Sequence, residues 1–171
     1  MLEVTYGTGK DTTPAELTEF YRRLNHDLAA RPAQIRKMMK NSAAVATARV
    51  EGRLIGLARG VCDGLRGYLT ECKLDPAFQG PAAVTRTDGR IEHDLHGIAA
   101  ALARRVLAAM YAEGVQRIDL FAYGTEVDFC EELGFRRGPG SVGMTMKAED
   151  WTASNAPAAA PAAAETHPTP Q

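Results

Sequence analysis

The sequence predicts a mixed α/β (α+β) fold, with helices on both faces of a twisted, mostly antiparallel sheet of about six to seven strands. Three observations predict it. A short apolar start leads into two helices, three strand-patterned runs separated by tight-turn residues fill 43–74, and a long apolar-periodic helix from Gly97 is followed by short strand and helix patterns.

Taken in order, Thr13-Pro14-Ala15-Glu16 supplies an N-cap hydroxyl, a proline at the first helical position and a glutamate placed for a capping box. That helix continues through Leu17, Phe20, Tyr21 and Leu24, and a second starts at Pro32 and runs through Ile35, Met38 and Met39. Between Ala43 and Leu74, Glu51-Gly52-Arg53 and Asp63-Gly64 read as hairpin turns and divide the run into three antiparallel strands. From Gly97 to Glu113 the residues Ile98, Ala101, Leu102, Val106, Ala109 and Met110 recur at helical spacing, Arg104 and Arg105 face outward, and Gly114 is a stop. Residues 115–122 then read as a strand buried on both faces, Thr125-Glu126-Val127-Asp128 opens a short helix ended by Gly134, and 135–137 with 142–146 read as a closing hairpin.

Composition bounds the setting. The 171 residues are 45% hydrophobic and 24% charged, enough for one domain with its own core over 1–148. Residues 149–171 are almost wholly Ala, Pro, Ser, Thr and Glu, a composition that cannot bury enough apolar surface to offset chain entropy, so a disordered tail is expected. Formal charge is -1 with Lys and Arg scattered, which gives no electrostatic footprint for nucleic acid or an anionic membrane. Met1-Leu2-Glu3-Val4-Thr5 has neither a basic leader nor an apolar core, and no apolar run reaches membrane length, so a cytoplasmic protein is expected. Cys62, Cys72 and Cys130 match no zinc spacing and read as reduced thiols.

Four segments carry a family resemblance: Arg53-Leu54-Ile55-Gly56-Leu57-Ala58-Arg59, Tyr68-Leu69-Thr70-Glu71-Cys72-Lys73-Leu74-Asp75-Pro76, Phe129-Cys130-Glu131-Glu132-Leu133-Gly134-Phe135, and a divided loop whose pieces are Asp75 to Gly80 and His96 to Ala100. In this order they resemble the GNAT family of N-acetyltransferases over about residues 2–147. The resemblance implies a sheet that splays between its fourth and fifth strands, with acetyl-coenzyme A as co-substrate in the gap and a small-molecule amine as acceptor. It implies that backbone of Cys72, Lys73 and Leu74 faces the pantetheine arm, and that Gln79, Gly80, His96, Gly97, Ile98, Ala99 and Ala100 surround the pyrophosphate at a helix N-terminus, where unpaired N–H groups concentrate. Asp94 stands where relatives carry Gln or Arg. Its carboxylate suits a cap and would repel a pyrophosphate.

For chemistry the resemblance points to Glu71 as the base for the acceptor ammonium; the other reading is a strand carboxylate paired with Arg59 or Arg66. Cys130 stands where relatives commonly carry the tyrosine that protonates the departing thiolate. It is either a thiol acid or a small buried hydrophobe, and Tyr123 is a second candidate for the acid. Tyr68 is a weaker candidate for lining the acceptor pocket.

Fifteen residues, Pro81 to Leu95, separate the two halves of the loop. Asp88-Gly89 within them signals a tight turn, so an inserted hairpin over 81–95 is expected. Pro81 removes one N–H donor from the loop. Arg86 and Arg90 are either phosphate clamps or exposed cations, and Glu92, His93, Asp94 and His96 match no standard metal spacing, so no metal is expected. The sequence reading is therefore an acyl-coenzyme A dependent N-acyltransferase, with a homodimer left open. Its alternatives are a degenerate member of the fold that binds a partner or another ligand, and an acyltransferase with a different acyl carrier.

Overall fold

The computed structural model describes residues 2–79, 94, 96–122 and 126–149. The chain divides into two compact units, Met1–Arg137 and Gly138–Gln171. In the first, β1 (Thr5–Gly7) leads to α1 (Pro14–Arg23), a 3-10 turn (Asp27–Ala30) and α2 (Pro32–Asn41), then to β2 (Ala44–Val50), β3 (Arg53–Cys62) and β4 (Arg66–Leu74), a second 3-10 turn (Pro76–Phe78), α3 (Ile98–Ala112), β5 (Arg117–Asp119) and α4 (Glu126–Glu132).

Local signals explain where these elements begin. Thr13 Oγ1 accepts the Glu16 N–H at 3.1 Å to cap α1. The β2–β3 turn uses positive φ at both Glu51 (50°) and Gly52 (78°), the pairing that matches strand twist in a two-residue hairpin. At the β3–β4 turn, Asp63 Oδ1 accepts the N–H groups of Leu65 and Arg66 at 2.9 and 2.7 Å, while Gly64 takes φ 92°.

The sheet order is β1-β2-β3-β4-β5, antiparallel throughout except for the parallel β4–β5 pair. Its two faces carry separate cores. Leu17, Phe20, Tyr21 and Leu24 of α1 and Ile35 of α2 pack with Leu54 and Leu57 on one face. On the other, Ile98, Ala99, Leu102, Ala103, Val106 and Met110 of α3 pack with Ala46, Ala48, Ala58, Leu69 and Leu74. Burying each large aliphatic side chain contributes roughly 1.5–3 kcal/mol. Gly56 lets α3 come close, since a Cβ there would lie 2.7 Å from Leu102 Cδ1.

The fold class agrees with the sequence reading, while two elements differ in extent. The fifth strand is Arg117–Asp119 and not 115–122; only Ile118 of the three is buried, and Phe121 beyond it is 63% exposed. A strand buried on both faces needs a covering layer that this stretch lacks. The closing hairpin does not form among the described residues: 135–137 are not in a strand, and neither are 142–146 of the second unit. Val142, Met144 and Met146 are 81, 87 and 67% exposed, so no burial rewards ordering them as a strand. Of the expected features, the 81–95 hairpin apart from Asp94, and the tail beyond Glu149, lie outside the described residues.

Candidate active site

β4 and β5 pair only through Arg66–Arg117, Gly67–Ile118 and Tyr68–Asp119, so the sheet opens beyond Tyr68. Residues 69–74 pair with β3 on one side and with no described strand on the other. An antiparallel edge strand directs alternate N–H and C=O groups away from its one partner, and these remain for a ligand. Cys72, Lys73 and Leu74 lie on this free edge. The carbonyl of Leu74, however, already accepts the Gln79 side-chain amide, which turns Gln79 back onto β4.

The edge meets the start of α3. Cys72 Sγ donates to the Ala99 carbonyl at 3.4 Å, joining β4 to the first turn of the helix, where Ile98 and Ala99 are fully buried. Gly97 caps that turn with φ 67°, and its N–H donates to the Asp94 carbonyl at 3.1 Å. Asp94 Oδ2 accepts the Ala100 N–H at 2.8 Å, while its Oδ1 is buried with no donor. Among the described residues, the Ile98 and Ala99 N–H groups have no acceptor. The helix end thus holds two N–H groups without a described acceptor beside one that Asp94 already occupies. His96 and Gly97 are exposed.

The opposite face of β4 holds a polar group. Arg59 pairs with Glu71 and Gly60 with Leu69, leaving Thr70 as an extra residue, a bulge whose Oγ1 donates to the Arg59 carbonyl at 2.9 Å. Because of it, Leu69 faces α3 while Glu71 faces α1. Glu71 Oε1 accepts from Arg59 Nε at 2.5 Å and from the Tyr21 hydroxyl at 2.7 Å. The Glu71 side chain is 10% exposed. Burial and the adjacent Glu71 carboxylate hold the Tyr21 phenol well above its ordinary range, so it stays a donor. His26 lies against the Tyr21 ring, 5.3 Å between centroids, with Nδ1 accepting the Leu28 N–H at 3.2 Å. Burial, then the Lys73 cation, pushes the His26 imidazole below its ordinary value.

Of the two paired readings of Glu71, the structure gives it Arg59 as a partner, within reach of the open edge. Cys130 lies on α4, half-buried, with its thiol pushed up to about 11 by burial and then by Glu126. Burial also raises the Cys72 thiol far above the usual range. Tyr123 and Gly80 lie outside the described residues. Tyr68 is 42% exposed at the point where β4 and β5 part. Tyr21 and His26 were not among the expected site residues; the only sequence signal is that a tyrosine on a buried helical stripe needs a partner for its hydroxyl. Among the described residues there is no cluster of His, Cys, Asp or Glu suited to a metal, and no helix long and apolar enough to cross a membrane.

No family model and no curated protein matches the sequence. Solved structures do match the fold. A GNAT-family acetyltransferase from Streptococcus pneumoniae TIGR4 superposes with a TM-score of 0.65 at 16% identity, over 85% of this chain and 98% of that one. The aminoglycoside N-acetyltransferase AAC(6')-Iy, in complex with CoA, gives 0.63 at 15% identity over 86% and 97%. A Trypanosoma brucei acetyltransferase gives 0.61 at 16% identity over 84% and 100%. With its sheet opened between β4 and β5 against the start of α3, the chain has the fold of the GNAT-family acetyltransferases.

Proposed function

We propose that the protein transfers an acyl group, in the first instance acetyl from acetyl-coenzyme A, to an amine of a small molecule by direct attack. The observation that carries this reading is the junction at Cys72 and Ala99, where a strand edge unpaired on one side abuts a helix end whose first two N–H groups have no described acceptor. Backbone of Cys72, Lys73 and Leu74 would hold the pantetheine arm. Ile98 and Ala99 N–H would face the phosphates, with Gln79, Gly80, His96, Gly97 and Ala100 around them. Support also comes from AAC(6')-Iy, a similar fold solved with CoA and with a bisubstrate analog joining CoA to an acetylneamine.

In this reading Glu71 removes the proton of the acceptor ammonium, the freed amine attacks the thioester carbon, the C–N bond forms as the C–S bond breaks, and the thiolate takes up a proton. Cys130 and Tyr123 are the candidates for that last step. A thiol at about 11 gives its proton uphill to a thiolate of ordinary pKa about 8.5, which counts against Cys130.

A second reading has its own support. Asp94 fills one donor of the α3 terminus and Leu74 O is bonded to Gln79, so a catalytically degenerate member of the fold, binding another ligand, is the rival. Two measurements separate them. Acetyl-coenzyme A raises the melting temperature of an acyltransferase, and a free thiol accumulates only when an amine is added. Absence of both across a broad amine panel removes the first reading.

A further inference from the structure

We propose that Tyr21 is a positioning residue: together with Arg59 it clamps one oxygen of Glu71 and so aims the other, Oε2, at the ammonium of the acceptor. This rests on the acyltransferase reading above and adds to it a residue from α1.

Both donors converge on a single atom. The Tyr21 hydroxyl and Arg59 Nε each bond Oε1, and no described residue bonds Oε2. The lone pairs of Oε2 are therefore free of described protein donors and available to a ligand. Nor is Oε2 sealed in: among the described residues, Asp94 Oδ1 is the one fully buried side-chain polar atom without a partner. A negatively charged oxygen that reaches the surface beside the open strand edge suits a primary ammonium, which brings three donors and a positive charge.

The clamp is rigid on the tyrosine side. Tyr21 is fully buried, edge-on to Phe20 at 5.7 Å and tilted against His26 at 5.3 Å. Its hydroxyl also lies 3.7 Å from Met38 Sδ, but a thioether is a weak acceptor and the carboxylate takes the single proton. α1 therefore fixes the Oε1 end of the carboxylate through a core residue. The bulge at Thr70 makes the contact geometrically available, since it turns Glu71 toward α1.

Steady-state kinetics of Tyr21→Phe, Glu71→Gln and the double variant test this, using acetyl-coenzyme A and an amine that the wild type acetylates. Tyr21→Phe is expected to lower kcat/KM for the amine roughly tenfold or more, the effect of one hydrogen bond to a charged group, with KM for acetyl-coenzyme A unchanged. In the Glu71→Gln background the same change is expected to have no further effect. Arg59→Gln, which frees the same oxygen, is expected to show the same coupling and serves if Tyr21→Phe does not fold. Equal effects of the tyrosine change in both backgrounds, or wild-type amine kinetics in Tyr21→Phe, overturn the inference alone. No turnover by the wild type with any amine overturns the acyltransferase reading and the inference with it.

Discussion

Asp94 Oδ2 accepts the Ala100 N–H at 2.8 Å, so an acidic side chain from before the N-cap is bonded inside the first turn of α3. If phosphates bind this turn, that charge opposes them. Asp94→Asn keeps an acceptor oxygen for Ala100 and removes the charge, and coenzyme A affinity measured by calorimetry is expected to rise roughly three- to tenfold. Asp94→Ala also loses the cap, at a cost of about 1 kcal/mol of stability. Unchanged affinity in Asp94→Asn would mean that the phosphates bind elsewhere.

Asp75 joins α1 to the end of β4. Its carboxylate, 4% exposed, accepts from Arg23 Nε and Arg53 Nη2, each at 2.8 Å, and Ala77 N–H bonds its other oxygen at 3.1 Å. The two arginines are not equivalent, because Arg23 is 22% exposed and Arg53 55%. Arg23→Ala, which breaks a largely buried pair, is expected to cost about 2–4 kcal/mol in urea unfolding. Arg53→Ala is expected to cost about 1 kcal/mol or less. An equal or reversed order would refute this account of the clamp.

His26 gives the fold an acid sensitivity. Its folded value lies below the ordinary 6.5, set first by burial and then by Lys73, so the folded state favours the neutral ring. The unfolded chain therefore binds more protons, and the stability this group provides is present above 6.5 and lost as pH falls through the folded value. Melting temperature is expected to fall on mild acidification, and to fall less in His26→Gln. An equal fall in both proteins would assign the sensitivity to other groups.

Cys130 should be slow to alkylate. At about pH 8 a thiol at about 11 has roughly 200-fold less thiolate than one at 8.5, while nucleophilicity rises about tenfold, leaving a rate about twentyfold below an unperturbed cysteine. Peptide mapping after timed iodoacetamide treatment reads this directly, with the urea-unfolded chain as reference. Labelling of Cys130 at the unfolded rate would show that its surroundings do not hold the proton.

What the sequence disclosed was whatever its local chemistry controls. Thr13-Pro14 and Pro32 mark the starts of α1 and α2, Glu51-Gly52 and Asp63-Gly64 mark the turns, and the apolar spacing from Ile98 to Met110 marks α3. Elements that depend on distant cover were harder to read. The 115–122 run has strand composition, yet only Arg117–Asp119 pairs, because pairing depends on what β4 presents opposite it. Val142, Met144 and Met146 alternate as a strand would, with nothing in their own spacing to say whether a face exists to bury them. At the site, Glu71 and Arg59 are close in a hairpin and their pairing could be weighed. Tyr21 is 50 residues from Glu71, and no local rule spans that distance.

The extra residue at Thr70 works as a frameshift within β4. Residues up to Leu69 and residues from Glu71 onward are read in opposite phase, so one added position decides which side chain each helix layer receives. Were Thr70 paired as an ordinary strand residue, the same sequence would deliver a carboxylate to the apolar layer under α3 and a thiol to Tyr21. Chemistry on this strand is thus encoded by counting as much as by residue type.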